Sequence, residues 1–294
     1  MTFFFQMLIT GVVVGSIYAL VALGFVLIYK ASDALNFANG EFVLIGSYIC
    51  LMLVTIYKIP FVIAFILTLV FNALLGMAVE RVVLRPLINA PVISVIMATI
   101  GLSSLLAGVV HMIWGHQTKS FPPIFSSELI QFWGIIISPV YLWSFFIVLF
   151  LLGVFTIFFK KSKMGLAMRA VADDQMAALS MGISVKSVYA ITWGIAALVA
   201  AVGGVLLGNI NGVDASMATI GLTVLPVVIL GGLDSIPGAI VGGFIIGILQ
   251  SLSVGYLQPI LGGGIKEVIP FIVVIIILMI KPYGLFGKGG IERV

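Results

Sequence analysis

Residues 160–183 read KKSKMGLAMRAVADDQMAALSMGI, the longest run of this sequence that does not sit comfortably in hydrocarbon. Lys160, Lys161 and Lys163 abut the end of an apolar run, at the level where lipid headgroups begin. Good helix formers follow, Leu166 to Ala170 and Ala177 to Leu179, with no proline among them. Gly182 stands where a helix would close with a left-handed residue. The spacing predicts a short, partly polar helix with Arg169, Asp173 and Ser180 near one face. It is tethered between two long apolar stretches on a lysine-rich side. Two readings fit: a solvated loop obeying charge bias, or a docking helix gripped by a soluble partner.

Outward from that stretch almost everything is apolar. Hydrophobic residues make up 62% of the 294 positions and charged residues 8%, far from soluble averages. The composition is that of a polytopic membrane protein, and no polar stretch is long enough to build a soluble domain. Residues 1–294 therefore read as a single integral-membrane domain carrying the segment 160–183. The net charge of +4 implies no nucleic-acid binding, because the cations lie mostly at the ends of apolar runs and serve as topology signals. The lone Cys50 excludes an intrachain disulfide. Residues 1–5 lack the basic start of a cleavable signal, so the first apolar run is expected to be a retained span.

Apolar runs at roughly 6–29, 41–57, 60–80, 91–113, 139–159, 187–209, 216–232, 237–257 and 264–281 give nine candidate spans. The expected fold is an all-α transmembrane bundle of eight or nine spans. The run 216–232, short and carrying Pro226, and the run 264–281 are candidates for half-helices or re-entrant segments. With nine crossings and the N-terminus outside, eleven cations fall in the cytoplasm: Lys30, Arg81, Arg85, Lys160, Lys161, Lys163, Arg169, Lys186, Lys281, Lys288 and Arg293. Three, Lys58, Lys119 and Lys266, fall outside. That orientation places Ser180 and the C-terminus in the cytoplasm and Ser126 outside. Glycines four apart at 11/15, 204/208/212, 238/242 and 243/247 predict close helix contacts.

No phosphate-binding Gly-x-x-x-x-Gly-Lys-Ser/Thr loop is present, so a nucleotide site of that type cannot be built from this chain. His111 and His116 have no cysteine or carboxylate close by in sequence and read as interfacial rather than as metal ligands. No catalytic triad or carboxylate pair stands out. The most concentrated polar site between two apolar runs is KASDALNFANGE, residues 30–41. Asn36, Asn39 and Glu41 flank Gly40 there, and the segment reads either as a turn or as part of a substrate path at membrane depth. Asn72, Asn209, Asn211, Asp214 and Gln250 are expected to make interhelical hydrogen bonds. Arg81 and Arg85 share a helical face, and Pro86 favours a break at Arg85.

These segments together resemble the branched-chain amino acid ABC transporter permeases of the smaller, LivH type. The resemblance rests on Gly15-Ser-Ile-Tyr-Ala-Leu20, Leu35-Asn-Phe-Ala-Asn-Gly-Glu41, Glu80-Arg81 through Arg85-Pro86, and Met164-Gly165. It continues with Arg169-Ala-Val-Ala-Asp173-Asp174, Gly182-Ile183, Gly231-Gly232 with Ser235, Pro237-Gly238-Ala239 and Gly242-Gly243. It implies an importer subunit in a bacterial plasma membrane, with a paralogous permease, two cytoplasmic ATPases that bind the ATP and magnesium, and an extracytoplasmic substrate-binding protein. It also implies that residues 160–183 are the coupling segment, with Arg169, Asp173, Asp174, Ala177, Ala178 and Gly182 as ATPase contacts. ABC permeases carry Glu-Ala-Ala-x-x-x-Gly at that point, whereas this chain has Met176-Ala177-Ala178 and then Gly182. Asn39 stands where the family more often has histidine, which argues against a protonation role and bears on the exact substrate. Relatives of this type also carry urea and short amides. A self-contained secondary transporter or channel would show paired ionisable residues deep in its spans, and this chain has few.

Overall fold

The computed structural model describes residues 2–88, 90–123, 129–132 and 135–287. The expectations placed on Ser126, Lys288 and Arg293 lie outside the described residues. In chain order the elements are α1 (Thr2–Ser32), α2 (Asn39–Thr55), α3 (Phe61–Val79), α4 (Val92–Trp114), β1 (Ile130–Phe132), β2 (Ile135–Ile137) and α5 (Pro139–Lys161). They continue with α6 (Lys163–Asp173), α7 (Gln175–Ser180), α8 (Val185–Asn211), α9 (Ile220–Gly231), α10 (Ile236–Tyr256), α11 (Gln258–Leu261) and α12 (Ile265–Ile280). The strands form a small antiparallel hairpin at one end of an otherwise helical bundle. Each of the nine apolar runs contains a helix. Among the described residues six helices are long and apolar enough to cross a bilayer, which makes this a multi-pass membrane protein. Three are shorter than a full span: α2 with 17 residues, α9 with 12 and α12 with 16.

Contacts at the helix ends give the direction of each passage. Phe3 packs edge-on against Tyr256, and Lys30 donates to the Asp234 carbonyl, so α1 and α10 run antiparallel. After α12 the chain returns to the start of α10, where Leu285 N–H donates to the Leu230 carbonyl at 2.8 Å. Residues 2 and 287 therefore lie at opposite ends. One end gathers Lys30, Arg81, Arg85, Lys160, Lys161, Lys163, Arg169, Lys186 and Lys281. Lys58, Lys119 and Lys266 lie at the other.

α1 is apolar around its whole circumference from Ile17 to Ile28, and a helix of that kind has to be enclosed by protein or lipid. It sits at the centre, against α10, α8, α5 and α9. The glycine spacing is used where α1 crosses α10: Gly11 and Gly15 rest on the backbone of Gly243 and Gly247. The end of α3 departs from the expected pattern. Its last turn widens into a π turn (Glu80–Leu84), which brings Glu80 and Arg85 over one another at a separation of five. Arg85 then makes a two-pronged ion pair with the buried Glu80, at 2.8 and 3.3 Å, while Arg81 is exposed. The two arginines do not form one contact surface.

Candidate functional site

The polar segment after α1 does not remain at the lysine-rich end. Residues 33–38 turn back into the bundle, and α2 begins inside it. Thr99 of α4 donates to the Leu35 carbonyl, and Ser103 donates to Glu41 Oε1 at 2.7 Å. Ser103 is eleven residues along α4, so Glu41 lies about 16 Å from the lysine-rich end, roughly half the hydrocarbon thickness. From the other end, residues 212–219 fold inward and α9 starts at Ile220. Its twelve residues span about 18 Å and return the chain to the lysine-rich end. The starts of α2 and α9 thus meet at mid-depth. They meet through glycine: a Cβ on Gly221 would lie 2.6 Å from Gly40 N and 2.7 Å from Gly40 Cα. A Cβ on Gly40 would strike the Ala218 carbonyl. Only hydrogen fits at either place.

Asn36, Asn39 and Glu41 are brought together at this junction, and all three are buried. Asn36 Oδ1 accepts from Ala38 N–H at 3.0 Å, holding the turn. Among the described residues, the Asn36 amide nitrogen, both amide atoms of Asn39 and Glu41 Oε2 have no partner. Unpaired polar groups at this depth are costly unless something else meets them. A cavity of about 300 Å³ opens beside Glu41, lined also by Phe37, Ile100, Ser103, Thr219 and Leu222. Phe37, Ile100, Ala218 and Leu222 give it apolar walls, and Ser103, Ser104, Thr219 and Glu41 add three hydroxyls and a carboxyl. The N-terminus of α2, with its partial positive charge, lies at the junction, while α9 enters it as the continuation of a 3-10 turn (Ala215–Thr219) whose carbonyls accept from Ile220 N–H.

The second region is residues 160–183, which form two helices and not one. Ser162 caps α6, its hydroxyl accepting from Gly165 N–H at 2.8 Å. The chain then kinks at Asp174 (φ −158°, ψ 111°), whose Oδ1 accepts from Met176 N–H and Ala177 N–H at 2.8 and 2.9 Å and so starts α7. Gly182 closes α7 at φ +82°. Gly182 N–H donates to Leu179 and Ile183 N–H to Ala178, a Schellman closure. The break removes the common face expected for Arg169, Asp173 and Ser180. Arg169 turns inward and donates to the Phe159 and Lys160 carbonyls, closing the end of α5. Asp173, Asp174, Ala177 and Gly182 are exposed, but Ala178 is 3% exposed and packs into the chain. The outward apolar groups are Leu166, Met176, Leu179 and Met181, between 51% and 82% exposed.

The two regions share a wall. Gln175 of α7 donates to the Tyr189 hydroxyl at 2.7 Å. Both line a cavity of about 200 Å³ together with Asp33 and Ala34 of the re-entrant segment. Burial pushes the Asp33 carboxyl above the ordinary carboxylate range.

The family model described as "Branched-chain amino acid transport system / permease component" matches residues 7–278. The chain belongs to that family. It is 32% identical to the high-affinity branched-chain amino acid transport system permease protein LivH of Escherichia coli (strain K12), with 99% of this chain and 98% of LivH aligned. It is 30% identical to the corresponding protein BraD of Pseudomonas aeruginosa, with 99% and 98% aligned. A probable LivH of Methanocaldococcus jannaschii is 31% identical over 96% of this chain and 92% of its own length. Among solved structures, PsaBC from Streptococcus pneumoniae in complex with Fab aligns with a TM-score of 0.51 at 16% identity, covering 96% of this chain and 93% of that one. That likeness concerns the fold alone.

Within this permease, sequence reading missed Thr99 and Ser103, which hold the re-entrant segment. Their signal was a polar pair four apart on one face of an apolar run. It also misjudged Asn72 and Asn209, which donate to Thr68 and Val205 of their own helices. Gln250 does reach across, donating to the Lys266 carbonyl at 2.8 Å. His111 and His116 stack at 4.3 Å at the end of α4, and no cluster able to hold a metal occurs among the described residues.

Proposed function

We propose that this permease is a membrane-spanning subunit of an ABC importer for branched-chain amino acids in a bacterial plasma membrane. Its N-terminus lies outside, and the lysine-rich end with residues 160–183 faces the cytoplasm. The observation that carries the reading is the mid-depth junction of α2 and α9, with unpaired polar groups beside a small, mostly apolar cavity. An aliphatic amino acid fits that chemistry. Its ammonium pairs with Glu41 Oε2, its carboxylate meets the Ser104 and Thr219 hydroxyls, and its side chain lies on Phe37, Ile100 and Leu222.

Power comes from other chains. A paralogous permease completes the path, an extracytoplasmic binding protein delivers the substrate, and two ATPases holding ATP and magnesium grip α6 and α7. Met176, Leu179 and Met181 supply an apolar contact for an ATPase groove, with Ala177 and Gly182 keeping the surface low between them. Asp173 and Asp174 border it, while Arg169 and the buried Ala178 act from beneath by holding the helices to the bundle. Movement of α7 reaches the junction through Gln175, Tyr189 and the segment starting at Asp33. The substrate matters only through its differential affinity for the states so linked.

The test is uptake in proteoliposomes holding both permeases and the ATPases, with the binding protein added outside. Labelled leucine should enter with ATP inside, and Glu41→Gln should reduce uptake by about tenfold, the effect of losing one charged hydrogen bond. Leucine uptake without the ATPases, or transport of urea in its place, would overturn the proposal.

A further inference from the structure

A second cavity, of about 510 Å³, lies at the lysine-rich end, away from the junction of α2 and α9. It is bounded by α1, α5, α6, the start of α10 and the turn at Phe286. Its lining divides by chemistry. Phe159, Ile236, Pro237, Ile240 and Phe286 give it an apolar floor, and Lys30, Lys160 and Arg169 give it a cationic rim. Asp234 is its one acidic residue, so cations exceed acids by two. The Lys30 ammonium lies 5.6 Å and the Arg169 guanidinium 5.5 Å from the centre of the same Phe159 ring. Neither cation has a carboxylate partner: the ion pair found among the described residues is Arg85 with Glu80. Among the described residues Lys30 donates to the Asp234 carbonyl, at 3.5 Å, and Arg169 to the Phe159 and Lys160 carbonyls.

Like charges drawn to one ring repel unless an anion joins them. The start of α10, a 21-residue helix, adds its positive end to the same place. A free inorganic anion would satisfy the rim and leave the apolar floor wet. An anion carrying hydrocarbon satisfies both, and the cavity lies where spans give way to headgroups.

We infer that the cavity formed by Lys30, Lys160, Arg169, Ile236, Ile240 and Phe286 is a binding site for one anionic phospholipid. The headgroup phosphate lies among the three cations, and an acyl chain lies along Ile236, Ile240 and Phe286. A phosphatidylcholine brings the same phosphate with a trimethylammonium that the rim repels, so the site selects by headgroup charge. The inference does not depend on which substrate the permease carries. Its position beside the α5–α6 joint makes the bound lipid a neighbour of the coupling segment.

The test is native mass spectrometry of the full-length subunit in mild detergent with equimolar phosphatidylglycerol and phosphatidylcholine. One phosphatidylglycerol should be retained per chain in clear preference to phosphatidylcholine. Lys30→Gln and Lys160→Gln should each lower that preference by about fivefold, the share of one juxtamembrane cation. Lys186→Gln, an exposed change at the same end, should leave it intact. Ile240→Trp fills the floor and should abolish retention with all three cations still present, which keeps the test decisive if the lysine variants fold poorly. Equal retention of the two lipids, or a preference untouched by Lys30→Gln and Lys160→Gln, would overturn the inference. So would displacement of the lipid by millimolar inorganic phosphate, which would mark a simple anion site.

Discussion

The starts of α2 and α7 solve the same problem in opposite ways. Each is a helix N-terminus reached through a non-helical link, and the first amides of each must find acceptors outside the regular helix. At the exposed lysine-rich end, Asp174 closes α7 with its own carboxylate, taking two backbone amides. At mid-depth the preceding turn takes the first amides of α2, Asn39 and Glu41 N–H donating to the Asn36 and Ala38 carbonyls, and among the described residues neither atom of the Asn39 side-chain amide finds a partner. The element in contact with water is satisfied by its own chain. The element in the interior is left with polar capacity to spare, in a place where leaving it unused is expensive. The first uses its polar groups to hold structure; the second leaves them unused.

That contrast can be broken most forcefully at the junction. Gly221→Val puts a branched side chain against the Gly40 backbone, which cannot rotate away, and should cost about 3 kcal/mol or more. Thermal unfolding of the purified subunit reads this directly, and a near-normal transition would mean that α2 and α9 do not meet as described. Next comes Asn39→Ala. A buried amide without a partner contributes no net stability, so its loss should leave unfolding unchanged or improved by up to about 1 kcal/mol. Leucine uptake should meanwhile fall by about tenfold. Loss of stability in step with uptake would return Asn39 to a packing role. Asp174→Ala should show the reverse signature, destabilising the α6–α7 region by about 1 kcal/mol. Faster hydrogen exchange in residues 175–181 would register it, and unchanged protection would show that the cap is idle. The smallest effect on stability, within about 0.5 kcal/mol, belongs to Leu179→Ser on the outer face of α7. It should weaken co-purification of the ATPase all the same. Full recovery of the ATPase would remove α7 from the docking surface.

The helices were legible because twenty-residue apolar runs have few alternatives, and the glycine spacing pointed to close helix contacts without saying which helices meet; the α1–α10 crossing is one of them. Depth was not legible at Asn36, Asn39 and Glu41. The run after Glu41 looks like an ordinary span, and nothing local says that the chain has already gone halfway in. That fact resides in Thr99 and Ser103, some sixty residues away, and in Gly221, farther still. The break at Asp174 was partly written: an aspartate before Gln175-Met-Ala-Ala is a good N-cap. It was masked by strong helix formers on both sides, which hide a kink that a tertiary contact can impose. The π turn at Glu80 had no local signal, since its purpose is to align Arg85 with a carboxylate five residues back.

The meeting of Gly40 and Gly221 has a consequence for heredity. When two bulky side chains face each other, a damaging enlargement on one can be rescued by a reduction on the other, and such pairs drift together through their lineages. Here the opposing surface is backbone and hydrogen, so there is nothing to make smaller. A selection for revertants of Gly221→Ala should therefore return the original glycine, or changes elsewhere that reposition a whole helix, and never a compensating residue at position 40.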